Sequence, residues 1–262
     1  MITTVVVHDG QIVESNGTIY VTKGQNGIWL QDSNTTYRGG FIYLHSGSVG
    51  ITVGTNDNNS KRRIVIENTR IKLVSGQSNT INNYGIKLQG NNKGYNTFLE
   101  IRNINMYNIA HGLSGNIRAS LIDVTLEQCG ENVMVDGSLN NMRVVGQACP
   151  VKFGYDHFIY LKGGNNVLIA TIYDIGGSSN GGAYQHYSVW TNSTSNKIYG
   201  VSNHSIYSTK ECKWNRYKDI DFSCYHIVPK YTYELENCTA APFKWRIIGD
   251  SSDTLDPKYT QL

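Results

Sequence analysis

Four side chains in this sequence have the right types for acid–base chemistry and occupy comparable places in a repeating pattern: Glu131, Asp156, His157 and His186. Glu131 opens the run Glu-Asn-Val-Met-Val-Asp-Gly. His157 opens His-Phe-Ile-Tyr-Leu-Lys-Gly with Asp156 just before it, and His186 precedes Tyr-Ser-Val-Trp-Thr. A carboxyl pair about 5–5.5 Å apart supports glycoside cleavage with retention, and one about 6.5–9.5 Å apart supports inversion. If the runs stack as neighbouring strands, Glu131 and Asp156 approach such a spacing, with His157 or His186 as proton shuttle or hydrogen-bond donor to a sugar. The same residues also suit a plainer role, as polar corner residues that satisfy turn backbone groups. The placement assumes corners of equal length, because a one-residue slip reverses which side chains face out. No acidic cluster of the calcium-binding kind is visible, so neither a metal nor a cofactor is expected.

A second set of residues suits binding. Alternation along the strands defines two outward columns, the first reading Trp29, Tyr43, Lys87, Met134, Tyr160 and Val189. The second reads Gln31, His45, Gln89, Ser114, Asp136, Lys162 and Thr191. Sugar rings present apolar faces and hydroxyls, which aromatic, amide and charged groups can meet together. Trp29, Tyr43, Gln89, Asp136, Tyr160 and Lys162 are therefore the glycan-contacting candidates. Strand aromatics equally favour the pleated surface itself or a neighbouring subunit. Asp136 is expected to pair with Lys162 on the next repeat, while Asp123 and Glu127 read as solvated strand residues.

The elements that must position these groups are short strands stated again and again. Ile28-Trp29-Leu30-Gln31, Ile42-Tyr43-Leu44-His45, Ile86-Lys87-Leu88-Gln89, Val133-Met134-Val135-Asp136 and Ile159-Tyr160-Leu161-Lys162 share one in-out-in-out pattern ended by a turn, with His111 to Gly115 a weaker copy. Between them lie second arms such as Ile64-Val65-Ile66 with Ile71-Lys72-Leu73, or Leu121-Ile122-Asp123-Val124 with Leu126. Repetition of this length built from strands marks a solenoid, in which each unit covers the hydrophobic face of its neighbour. Roughly six to eight coils fit between about residues 27 and 209. Asn58-Asn59, Asn82-Asn83, Asn91-Asn92, Asn140-Asn141 and Asn165-Asn166 fall at the corners, where Asn tolerates left-handed backbone and can bond from one coil to the next.

Residues 1–26 read as entry strands that cap the solenoid, with Asp9-Gly10 and Asn16-Gly17 as hairpin or turn signals. Residues 210–262 are denser in charge and carry Trp214, Tyr217, Tyr225, Tyr231, Tyr233, Phe243 and Trp245, a composition suited to a capping or oligomerisation segment. The net charge of +3 is too small for a nucleic-acid partner, and Lys61-Arg62-Arg63, the one basic run, reads as a solvated corner. No apolar run reaches the length of a membrane span, and the first residues lack the pattern of a signal peptide. Five cysteines without a CxxC pair argue against a disulfide framework or a zinc site. Cys129, Cys149, Cys224 and Cys238 close apolar segments and are expected as small buried thiols in a protein made in a reducing cytoplasm.

Asn-cornered, glycine-stopped strands, followed by a late change of composition, resemble the right-handed parallel β-helix of bacteriophage tailspike and tail-fibre proteins. The wider superfamily of that architecture includes pectate lyases and other polysaccharide lyases and hydrolases. The resemblance covers about residues 27–209 and lies in architecture rather than in a motif. It implies an all-β, single-stranded right-handed solenoid between an N-terminal cap and a C-terminal capping or oligomerisation segment. It also implies a homotrimer in the virion tail, made in the host cytoplasm and contacting other tail proteins and a host cell-surface polysaccharide. Three roles follow as expectations: an adhesin that binds glycan, a depolymerase (glycoside hydrolase or lyase) that cuts it, or a purely structural virion piece.

Overall fold

The computed structural model describes residues 4–32, 34–54, 62–88, 97–115, 117, 120–127, 129, 131–135, 140–147, 157–173, 187–191, 195–202, 205–208, 215–222, 226–229, 233–236, 239–240 and 245–248. They form strands and no helix. Three repeats carry three strands each: β1 (Val5–Val7), β2 (Ile12–Glu14) and β3 (Thr18–Val21), then β4 (Asn26–Leu30), β5 (Thr35–Arg38) and β6 (Phe41–Leu44), then β7 (Val49–Val53), β8 (Arg62–Glu67) and β9 (Arg70–Leu73). Later repeats carry two: β10 (Tyr84–Leu88) with β11 (Thr97–Tyr107), β12 (His111–Gly115) with β13 (Leu121–Glu127), and β14 (Glu131–Val135) with β15 (Asn141–Gln147). The series continues with β16 (His157–Leu161) and β17 (Val167–Tyr173), β18 (Tyr187–Thr191) and β19 (Lys197–Ser202), β20 (Ser205–Ser208) and β21 (Asn215–Phe222). It ends with β22 (His226–Pro229), β23 (Tyr233–Glu236), β24 (Thr239–Ala240) and β25 (Trp245–Ile248).

Each strand pairs in parallel with the strand one repeat later. One sheet runs β1-β4-β7-β10-β12-β14-β16-β18-β20-β22-β25, and the other runs β2-β5-β8-β11-β13-β15-β17-β19-β21-β23. The ladder β3-β6-β9 joins the second sheet at the end of β11. The protein is therefore all-β with parallel sheets, an arrangement consistent with a β-helix. Asp9-Gly10 and Asn16-Gly17 are turns between strands that pair forward along the chain, so no hairpin forms there. Arg62 and Arg63, expected at a corner, instead open β8 because the facing strand reaches back to Thr97 and Phe98, which pair with them in register.

Period-two alternation decides which side chains enter the core. Ile28, Ile51, Ile86, Leu113, Val133, Ile159 and Val189 follow one another in register and are all buried. Ile101, Ile122, Met142, Leu168 and Ile198 do the same across the second sheet. Each such side chain contributes about 1.5–3 kcal/mol by leaving water.

The corners use asparagine as expected at three of the marked pairs. The Asn166 carboxamide oxygen accepts from the Asn140 backbone N–H at 3.0 Å and from its Nδ2 at 2.9 Å, and Asn196 receives the Asn166 N–H at 3.0 Å. The Asn140 oxygen takes the Ser120 N–H at 3.1 Å, which extends this buried ladder by one repeat. Asn83 similarly accepts the Gly47 N–H, and Asn165 adopts φ 57°. Asn58-Asn59 and Asn91-Asn92 lie outside the described residues. Cys129 is buried as expected, whereas Cys149, Cys224 and Cys238 lie outside them.

Candidate functional site

The outer face of the β3-β6-β9 ladder and its continuation carries a cleft that the sequence pattern did not single out. Ile19, Ile42, Ile71, Met106 and Leu126 point inward in register, so their neighbours Tyr20, Phe41 and Tyr43, Arg70 and Lys72, Asn105 and Tyr107, and Thr125 and Glu127 must face out. Those from Phe41 to Glu127 line a half-open cleft of about 250 Å³ floored by Ile71 and Met106. Tyr20 stacks on Tyr43 with centroids 5.1 Å apart, and the Lys72 Nζ stands 4.7 Å from the Tyr43 centroid. Arg70 lies 5.5 Å from the centroid of Phe41.

Electrostatics separate this cleft from the rest of the second sheet. Arg38 bridges Glu14 at 3.1 Å and Glu67 at 3.3 Å, Arg143 meets Asp123 at 2.8 Å, and Arg63 and Arg102 both hold the buried Glu100. Asp123 is thus ion-paired rather than merely solvated. Arg70 and Lys72 sit instead against neutral rings, and among the described residues neither makes an ion pair. Glu127, exposed as expected, is the acid among the described residues that line the cleft.

Of the glycan candidates, Trp29 and Tyr160 do share one ladder, which reads Trp29, Thr52, Lys87, Ser114, Met134, Tyr160 and Trp190. It is not an open column, because Thr52 has 0% exposure and Ser114 7%. Trp29 is half-buried and spends its Nε1–H on the Gly54 carbonyl at 2.9 Å. The Lys162 ammonium stands 4.9 Å from the Tyr160 centroid. Gln89 and Asp136 lie outside the described residues. Tyr43 belongs to the other ladder, since β6 follows β5 after the two-residue corner Gly39-Gly40 and pairs with β3 and β9. Ser114 stands in the first column beside Lys87, not in the second. Val189, placed outward by the sequence pattern, is buried opposite Ile159, and Thr191 is buried opposite Leu161.

The acid–base candidates are met only in part. His157 pairs with Tyr187, the residue after His186; His186 itself lies outside the described residues, as does Asp156. Glu131 pairs with His111, and carrying the Val133–Ile159 register back two residues sets Glu131 level with His157 in the backbone. The side chains of Glu131 and His157 are outside what is described. The residue missed was His111, buried and stacked on Tyr84 at 4.4 Å. Its signal was the head of the weaker repeat, His-Gly-Leu, which matches Tyr84-Gly85-Ile86.

Compared with known proteins, the chain matches no family model, no curated protein and no solved structure.

Proposed function

We propose that this protein is a right-handed parallel β-helix of the tailspike or tail-fibre type, a trimeric virion component that recognises a host surface polysaccharide. The observation that carries the binding part is the cleft on the β3-β6-β9 face. Aromatic edges, two cations, an amide, a hydroxyl and a carboxylate are set there on successive strands, and strands about 4.8 Å apart form a regular ruler for an extended polymer. The register of each strand with the one a repeat later supports the helical reading, and the sequence resemblance supports the virion setting. Purified protein incubated with extracted bacterial capsule and lipopolysaccharide tests the function by two readouts, retention of the polymer and its chain length. Retention with unchanged length supports an adhesin, and no retention of any preparation refutes it.

A depolymerase is the second reading, favoured by the backbone register of Glu131 with His111 and its level with His157. It predicts that Glu131→Gln with Asp156→Asn stops chain shortening while retention survives; shortening that persists in the double variant removes those residues from catalysis. Trimerisation through the aromatic C-terminal segment predicts a three-fold mass by light scattering at micromolar concentration, and a monomer mass overturns it.

A further inference from the structure

We infer that the cleft takes an isolated acidic sugar with a neutral sugar beside it, a conclusion that rests on the polysaccharide-binding reading of the same site. Arg70 and Lys72 share the exposed face of β9, and both lean back over β6: the Lys72 Nζ stands 4.7 Å from the Tyr43 centroid and the Arg70 guanidinium 5.5 Å from that of Phe41. A ring holds a cation through its quadrupole but brings no net charge to neutralise it. Arg38, Arg63, Arg102 and Arg143 all meet carboxylates, whereas among the described residues Arg70 and Lys72 meet none. An anion at this end of the cleft gains both cations, with a planar pair of donors from the guanidinium.

The next strand offers a different surface. Tyr107 lies level with Lys72 on β11, is 38% exposed, and among the described residues no second ring or cation covers it, so its face is open to a sugar. Asn105, level with Arg70, adds an amide, and the buried Met106 between them floors the cleft. Glu127 follows Tyr107 in register on β13 and ends the cleft with a carboxylate that pairs with no cation among the described residues. The order across the strands is therefore cation, ring, carboxylate. It suits an acidic sugar over β9 and a neutral one against Tyr107, with hydroxyls donated to Glu127.

Size and repulsion limit what can continue the chain. At about 250 Å³ the cleft is smaller than most sites for drug-sized ligands, so it holds a short unit rather than a long stretch. A strand step of about 4.8 Å is close to the length of a pyranose, so on a chain running along the ladder the sugar after the neutral one reaches Glu127. A polymer acidic at every sugar, or at every second one, sets a carboxylate there and is disfavoured. One whose acidic sugars are separated by two or more neutral sugars escapes that repulsion.

The test measures binding of the full-length protein to five immobilised polymers at low and moderate salt. They are deacylated gellan (three neutral sugars between acidic ones), hyaluronan (every second sugar acidic), polygalacturonate (every sugar acidic), dextran (neutral) and single-stranded DNA (a polyanion without sugar carboxylates). Gellan should bind best, and its affinity should fall as salt rises. Arg70→Gln and Lys72→Gln should each weaken it by about tenfold or more, the size expected for a charge-assisted hydrogen bond, with unchanged thermal melts. Tyr107→Ala should weaken it by about threefold to tenfold through the lost ring contact. Glu127→Gln should raise hyaluronan and polygalacturonate relative to gellan. Hyaluronan binding the native protein as tightly as gellan, or gellan binding that ignores both cation variants, overturns the inference. Dextran binding as tightly as gellan overturns the acidic subsite but leaves the polysaccharide site standing. DNA binding equally well overturns it in favour of a generic polyanion surface. Failure of all five probes overturns it, and failure of bacterial surface polysaccharides as well removes the underlying reading.

Discussion

Asn166→Ala is the sharpest probe of how the repeats are held in register. The native carboxamide accepts the buried Asn140 N–H at 3.0 Å and an Asn140 Nδ2–H at 2.9 Å, and donates to the Gly163 carbonyl at 2.7 Å. Truncation strands a main-chain donor in a site with 0% exposure. The Asn140 Nδ2 keeps its bond to the Ile117 carbonyl at 2.7 Å, so that part of the loss is incomplete. One fully unsatisfied donor costs about 1–3 kcal/mol, and the weakened Gly163 carbonyl brings the total to about 2–4 kcal/mol. Asn165→Ala is the comparison: an exposed neighbour at φ 57°, it loses only left-handed tolerance, about 1 kcal/mol. Urea unfolding followed by circular dichroism gives the two midpoints, and hydrogen exchange reports the amide of residue 140 directly. If Asn166→Ala is no worse than Asn165→Ala and amide 140 keeps its protection, the ladder is decoration and the reasoning fails.

Three further outcomes follow from particular contacts. A methyl group on Gly50 would sit 2.7 Å from the Gly85 carbonyl oxygen and 3.0 Å from Ile71 Cγ2, so Gly50→Ala should cost about 1–3 kcal/mol. Gly17→Ala, with nothing within 4 Å, should stay within about 0.5 kcal/mol in the same thermal melts, and equal melts for the two would contradict this account. Burial pushes the Tyr37 phenol above its usual value of 10.0, with the Ser15 side chain pulling less strongly the other way. The folded state thus keeps that proton longer than the unfolded chain, and the resulting stability is whole below about pH 10 and lost as pH rises beyond it. Tyr37→Phe should therefore lose less stability than the native protein between pH 8 and pH 11 in paired urea titrations, and identical losses would count against it. Removing both Arg63 and Arg102 leaves Glu100, 4% exposed, without its two guanidinium partners. That double alanine variant should lose about 3 kcal/mol and more than Glu100→Gln does, as read from denaturant midpoints.

The sequence by itself determined the alternation of buried and exposed positions and the chemistry of the corners. Ile28 with Leu30, Val133 with Val135 and Ile159 with Leu161 enter the core because a strand turns over every second residue, a local rule that needs no partner. Asn140, Asn166 and Asn165 were legible for a similar reason: a short carboxamide suits tight corners wherever the chain makes them. A further local signal went unread, the glycine one residue into Asn26-Gly27-Ile28, Val49-Gly50-Ile51, Tyr84-Gly85-Ile86 and His111-Gly112-Leu113. It is required because a methyl on Gly27, Gly50 or Gly85 would lie 2.7–2.8 Å from the carbonyl oxygen of the next glycine in the stack. What only the tertiary structure decided was which ladder each strand joins and in what register. Alternating strands look alike on every side of the repeat, so Ile42-Tyr43-Leu44 could not announce that it pairs with Thr18–Val21 and Arg70–Leu73. Val189 lies inward opposite Ile159, a phase that the local alternation of Tyr187 to Thr191 does not reveal. The cleft itself is made of residues from four strands, Phe41 to Glu127, whose neighbourhood exists only once the corners have fixed how far each strand is carried before it meets the one beneath.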